Sequence, residues 1–223
     1  MTLDHPAEKA PYLRPKDAAS ILLMDRSTPR MRVLMGKRSS AHVFMPDVYV
    51  FPGGKRDRED STLPFASDLH PVVLDNLMRA SSSAVSQRRA RALALAALRE
   101  LHEETGLRFR SDEQGSTGPD LSCLRFVARA ITPPGRIRRY DTRFFCCFTD
   151  EVGIEPMAAR DSDELQHLEW LDIQDNSGVN MAPITRMVLE DVTKFVIGDR
   201  SLQFESPVRQ YFERRGTFTR GFL

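Results

Sequence analysis

Between about residues 85 and 107 the chain carries the pattern that most limits what it can become. Leu93, Ala97, Leu98 and Leu101 recur on one stripe at helical spacing, with Arg and Glu residues mostly off it. Gly106 follows, able to take the left-handed conformation that ends helices. The spacing predicts a helix over about 85–105 whose last turn is costly. In Arg99-Glu100-Leu101-His102-Glu103-Glu104-Thr105-Gly106-Leu107 the three glutamates stand at i, i+3 and i+4, so their carboxylates project from one side. Like charges at that spacing destabilise an isolated helix by about 0.2–0.5 kcal/mol per pair, and the helix dipole disfavours anions at this end. A bound cation offsets both penalties. Carboxylates are hard oxygen donors, which points to Mg²⁺ or Mn²⁺, and the planar fork of Arg99 suits it to hold one of these glutamates. A solvated acidic face closing a surface helix is the competing reading.

Ala19–Met24 is an apolar run suited to a buried strand, Asp25–Arg30 is turn chemistry, and Met31–Arg38 completes a hairpin. Val48–Phe51 reads as a third strand stopped by Pro52-Gly53-Gly54. Residues 1–17, with three prolines, read as an N-terminal arm ahead of one domain over 18–223. An insertion over about 55–86 has a helical middle through Leu69, Val72, Val73 and Leu77. Residues 111–120 read as a loop, Leu124–Ile131 and Thr142–Phe148 as strands, Glu164–Leu171 as the last strand, and Ala182–Ile197 as a helix. The order predicts an α+β fold with helices packed on a curved sheet.

Composition narrows the class. A chain of 223 residues, 41% hydrophobic and 28% charged, can bury a core, and a net charge of +1 gives no support for a chain-wide nucleic-acid surface. No apolar run has the length of a membrane span, and the first residues lack a signal layout. Three cysteines, two of them adjacent, are neither a disulfide framework nor a zinc set. A cytoplasmic protein with no nucleic-acid or membrane partner is expected.

Gly53-Gly54 after an apolar strand, followed by Arg99-Glu100-Leu101-x-Glu103-Glu104-x-Gly106-Leu107, resembles the Nudix box, Gx5Ex7REUxEExGU with U aliphatic. The resemblance implies an α/β/α sandwich with a mixed sheet, and hydrolysis of a nucleoside diphosphate linked to another group. It implies that Glu100, Glu103, Glu104 and the Gly53 carbonyl hold divalent metal. A homodimer is compatible with it. The second half of the box is complete. Gly54 precedes Arg99 by 45 positions instead of 14, leaving 31 extra residues, and counting back eight from Arg99 gives Arg91 where the box has Glu. In this register that glutamate is absent and its role unassigned; Asp57 matches an acidic residue often seen after the glycines. The insertion, with Arg139-Tyr140-Asp141-Thr142-Arg143-Phe144-Phe145, resembles the coenzyme A diphosphatase branch, so coenzyme A or acyl-coenzyme A is the expected substrate.

Among Asp161, Asp163 and Glu164, Glu164 is the expected general base. Arg139 and Arg143, with Arg136 and Arg138 nearby, are candidates to grip phosphates; the competing reading is a solvated hairpin. Arg38 and Lys55 flank the glycine turn and could reach the same anion. Tyr49, Phe51, Phe144 and Trp170 read as core rather than base-stacking platforms, His102 as an exposed helix residue, and Cys146-Cys147 as packing. The alternative to an enzyme is a catalytically silent Nudix-fold nucleotide-binding or regulatory module, motivated by the interrupted box.

Overall fold

A strand buried on both faces needs apolar side chains at successive positions, and the run around Ile21–Met24 supplies them. In the computed structural model, which describes residues 13–39, 47–80, 86–109 and 118–223, β1 (Lys16–Asp25) sends Ile21 and Leu23 into one core and Leu22 and Met24 into another. It pairs antiparallel with β2 (Arg32–Arg38) and parallel with β6 (Tyr140–Phe148), whose Phe145 and Cys147 face the first core and Phe144, Cys146 and Phe148 the second.

Among the described residues the open mixed sheet has nine strands, seven of them in the order β3-β2-β1-β6-β5-β8-β9. Here β3 is Tyr49–Val50 and β5 is Arg125–Ile131. Two strands lie off this path: β4 (Gly53–Lys55) pairs β1, and β7 (Leu165–Asp172) pairs β2. The first core is capped by α1 (Pro71–Arg79) and α2 (Gln87–Thr105), and the second by α3 (Pro183–Val196). The α/β/α layering is therefore as the sequence leads one to expect.

Both ends of α2 are set by local chemistry. The Ser86 hydroxyl accepts from Arg89 N at 3.2 Å, and Gly106 closes the helix at φ 72°. Inside the insertion, Val73 and Leu77 of α1 are fully buried, as the helical spacing predicts, whereas Val72 is only partly buried and the nearly buried Leu69 lies ahead of the helix. Residues 81–85 of the insertion, most of the loop over 111–120 and residues 1–12 of the arm lie outside the described residues.

Three expectations are corrected. The glycine turn does not simply stop a strand, because Gly53–Lys55 form β4. The edge of the arm moves inward, since β1 opens at Lys16 and the Asp17 side chain is 7% exposed. Nor is β7 the last strand: β8 (Arg209–Arg214) and β9 (Thr217–Phe222) form a hairpin, turned by Arg215 and Gly216 at φ 52° and 76°.

That hairpin is pinned to α3 through Asp191, which is 1% exposed. Asp191 accepts from Tyr211 Oη at 2.6 Å and from Arg220 Nε at 3.0 Å, with Lys194 Nζ at 3.3 Å and Arg209 Nε at 3.1 Å. Burial alone would raise its pKa, but the hydrogen bonds from Arg220, Tyr211 and Lys194 win and hold it below the usual carboxylate value. A depressed pKa contributes stability above the unfolded value near 4 that is lost as pH falls through the folded value. Asp191→Asn should therefore cost about 2 kcal/mol at pH 7. The gap to wild type should close in thermal melts taken below about pH 4.

Candidate active site

The site forms where β4 meets the end of α2. Gly53, at φ 156° and against backbone, must be glycine, whereas a side chain at Gly54 would push the Glu100 carboxylate out of its place. A Cβ on Gly53 would lie 2.5 Å from Ala19 O, and one on Gly54 only 2.4 Å from Glu100 Oε1. The bare backbone thus lets the carboxylate turn close onto the strand, and Gly53 N donates to Glu104 Oε2 at 2.8 Å.

Glu104 is 7% exposed. Burial first, then the neighbouring Glu100 and Glu164 carboxylates, push its pKa up to about 8 against the pull of Gly53 N–H and Arg38. Glu100 is raised as well, by burial first, with Arg99 opposing. The structure thus brings Glu100, Glu104, Glu164 and Arg38 into one electrostatic neighbourhood. Glu164 is held there by backbone, since Ser39 N donates to its carbonyl at 3.2 Å and Leu165 pairs with Arg38. Asp161 is spent locally, accepting from His167 N at 2.8 Å and Leu168 N at 2.9 Å, so of the acidic group it is less free than Glu164 to act as a base.

Arg99 ties the turn together. Its Nη1 reaches Glu100 at 2.9 Å and Glu103 at 2.8 Å, and its Nη2 donates to Lys55 O at 3.0 Å. Its Nε and Nη2 hold both oxygens of Asp60, at 2.8 and 3.2 Å. Asp60 has no exposure and also accepts from Asp57 N at 2.7 Å.

Asp60 is the functional residue that the sequence reading missed, and the signal was present. Counting forward from Gly54 instead of back from Arg99, the sixth residue is Asp60, at the box position of the glutamate. The 31 extra residues therefore fall after Asp60, not directly after the glycines. Arg91 plays no part in this cluster; it pairs with Asp68 at 2.6 and 2.9 Å.

Two anion-binding candidates are corrected. Arg143 has no exposure, lying 2.9 Å from Asp141 and 3.4 Å from Asp17. Arg139 is buried and donates to Thr132 O at 3.0 Å and Leu13 O at 2.6 Å. Arg143 is carried inward by the pairing of β5 with β6, where its Nε and Nη2 find no hydrogen-bond partner among the described residues, and Arg139, just ahead of β6, is held by those two carbonyls; exposed Arg136 and Arg138 remain in the loop. Lys55 stays exposed and pairs with Asp57 at 2.7 Å. The core readings stand for Phe51, Phe144, Cys146 and Cys147, all buried, and Trp170 Nε1 donates to Pro156 O at 2.9 Å. Tyr49 is partly buried, its hydroxyl 2.9 Å from Glu169. His102 contacts Arg108.

The donor set fits a hard divalent cation. Glu100 and Glu104 are oxygen donors on one helix turn whose ionised forms burial makes costly, and a bound cation would offset that cost. Among the described residues no three acidic, His or Cys side chains are already gathered as an ion cage. The Glu103 carboxylate, which would complete such a set, is turned to Arg99.

Fold and site together define the class: the chain has the Nudix fold. Its likeness is to a crystal structure of a Nudix hydrolase from Alicyclobacillus acidocaldarius, with a TM-score of 0.64 and 22% identity, covering 86% of this chain and 98% of that one. The Nudix domain of Shewanella oneidensis NrtR, solved with ADP ribose, matches at a TM-score of 0.51 and 13% identity, over 82% of this chain and 88% of the other. In sequence, the chain is 26% identical over 182 residues to a Caenorhabditis elegans protein named "Putative nudix hydrolase 7", covering 70% of this chain and 51% of the relative. The chain thus spans about half the length of the curated relative it matches. No family model matches the chain. Among the described residues no helix is long and apolar enough to cross a membrane.

Proposed function

We propose that this chain is a Nudix-type hydrolase that cuts a diphosphate linkage in a nucleoside diphosphate derivative, using Mg²⁺ or Mn²⁺. The observation that carries the reading is the pair Glu100 and Glu104. Two carboxylates are packed against a glycine turn at the expense of burial, beside an arginine held by Asp60. The Nudix fold and the named relative support the reaction class. Glu100, Glu103, Glu104 and the Gly53 carbonyl would hold the metal. When bound, it neutralises the diphosphate oxygens and acidifies an attacking water.

The chain's own side chains do the rest. Arg99 sets the orientation of Glu100 and Glu103, Arg38 and Lys55 draw the anionic substrate, and Glu164 accepts a proton from the attacking water. Coenzyme A and acyl-coenzyme A remain the particular substrates of this reading, now supported by the insertion alone, since Arg139 and Arg143 are internal. The same reading places the protein in the cytoplasm, acting on a small molecule without nucleic-acid or membrane partners; its three cysteines are free thiols.

The test is release of phosphate or AMP from a panel of coenzyme A, acyl-coenzyme A, ADP-ribose, NADH, nucleotide sugars and dinucleoside polyphosphates. At least one should be cleaved with Mg²⁺ and none in EDTA, and Glu164→Gln should lower turnover by about 10²–10⁴-fold. Binding with no turnover on any member would instead favour a silent nucleotide-binding module.

A further inference from the structure

β7 does not run evenly along β2. Glu169 lies opposite Met35 and Gln166 opposite Lys37, so β7 takes three residue steps where β2 takes two. The extra residue makes a β-bulge of His167 and Leu168, which together face Gly36. A Cβ on Gly36 would lie 2.3 Å from Leu165 Cγ and 2.8 Å from Leu168 Cδ2, so the bare backbone gives both leucines their room. His167 sits at φ 49°, a left-handed conformation that a residue with a Cβ adopts at a cost. The two N–H groups of the bulge donate to one side chain: His167 N reaches Asp161 Oδ2 at 2.8 Å, and Leu168 N reaches Asp161 Oδ1 at 2.9 Å. Both oxygens of one carboxylate thus grip successive backbone N–H groups, and these charge-assisted bonds offset the cost at His167.

The bulge decides where Glu164 falls. With it, Leu165 lies opposite Arg38, and Ser39 N donates to Glu164 O at 3.2 Å. Without it, an even ladder continued from Glu169 and Met35 would set Gln166 opposite Arg38 and carry Glu164 one step, about 3.3 Å, farther away. Because side chains alternate along a strand, the same slip would turn every residue before the bulge to the other face. Leu165, which has no exposure, would lose its place against Gly36. The turn ahead of β7 is closed as well, with Ser162 N donating to Leu165 O at 2.9 Å and Leu165 N to Ser162 Oγ at 3.1 Å. Glu164 itself stays exposed, and Glu100 and Glu104 on α2 feel its charge. A misplacement of about 1 Å in a catalytic group can cost about 10²-fold in rate, so a register held to one residue matters to the chemistry.

We propose that Asp161 is a positioning residue for the reaction: by clamping the bulge of His167 and Leu168, it fixes the register that presents Glu164 to the carboxylate turn of α2. The effect on rate rests on Glu164 being the base of the diphosphohydrolase reading; the placement of Glu164 does not.

The test compares Asp161→Ala, Glu164→Gln and the double variant in the full chain. On a diphosphate cleaved with Mg²⁺, Asp161→Ala should lower kcat by about tenfold and change KM by less than about twofold. The double variant should be no slower than Glu164→Gln alone, because Asp161 acts through that side chain. Independently of turnover, amide hydrogen exchange followed by NMR should speed up about tenfold at Ser39 and Leu165 in Asp161→Ala and stay unchanged within α2. An unaltered kcat in Asp161→Ala beside an impaired Glu164→Gln, or an equal fold-loss in the Glu164→Gln background, would overturn the proposal and leave the base reading standing. Unchanged exchange at Ser39 would overturn it whatever the rates. Wild-type turnover in Glu164→Gln would remove the base and the positioning role with it. Faster exchange at Ser39 in a chain that cleaves no diphosphate would uphold the clamp while removing the enzyme reading.

Discussion

Replacing Glu104 by Gln should lower turnover of a diphosphate substrate on the order of 10³-fold, equivalent to about 4 kcal/mol of transition-state stabilisation, without lowering the melting temperature. The two effects separate because the same carboxylate is costly to the fold and necessary to the chemistry. In the metal-free protein Glu104 is nearly buried, and burial with two nearby carboxylates pushes its pKa up to about 8. Glutamine keeps the shape and the acceptor for Gly53 N–H but carries no charge to desolvate.

A raised carboxyl contributes stability that is complete below its unfolded value near 4.3 and is lost as pH rises through the folded value. The metal-free wild type should therefore lose melting temperature relative to Glu104→Gln between about pH 5 and 8. Added Mg²⁺ should restore it for the wild type and much less for the variant. This is the stability cost expected of a functional site. A Glu104→Gln protein that turns over at the wild-type rate would refute the assignment of this carboxylate to catalysis.

How much of this arrangement the chain discloses depends on how local the cause is. The β1 run, the amphipathic stripe of α2 and the Gly106 cap are set by neighbours in sequence, and they appear where the periodicity puts them. The C-terminal hairpin is different. It turns on Arg215-Gly216 instead of the usual Asn-Gly or Asp-Gly, and Asp191, Tyr211 and Arg220 come together only after folding. At the site, the glutamates of the α2 turn were legible because their spacing is helical. The fate of the arginines was not, because a guanidinium at Arg143 can face solvent or a buried carboxylate according to strand pairing alone. It faces Asp141 and Asp17. The acidic partner of Arg99 was legible only from the other end of the motif, since an insertion preserves spacing on each side of itself but not across it.

That partner carries the second large effect. Asp60→Asn should cost about 3–5 kcal/mol of stability, or roughly 10 °C in melting temperature for a chain this long. Asp60 is fully buried, and its two oxygens meet Arg99 Nε, Arg99 Nη2 and Asp57 N. Removing its charge leaves the guanidinium short of a partner on its inner side, where water cannot substitute. Arg99 would then be drawn toward Glu100 and Glu103, the carboxylates expected to receive metal. Activity per folded molecule should fall by about 10–100-fold, with weakened Mg²⁺ dependence, as for groups that orient metal ligands without touching the ion.

Asp57→Asn is the informative control. Its side chain is 45% exposed and pairs with half-exposed Lys55, so its loss should cost less than about 1 kcal/mol. If Asp60→Asn melted like Asp57→Asn and kept its metal response, the inner grip on Arg99 would be dispensable, and the carboxylate turn would have to be held by the glycine contacts alone.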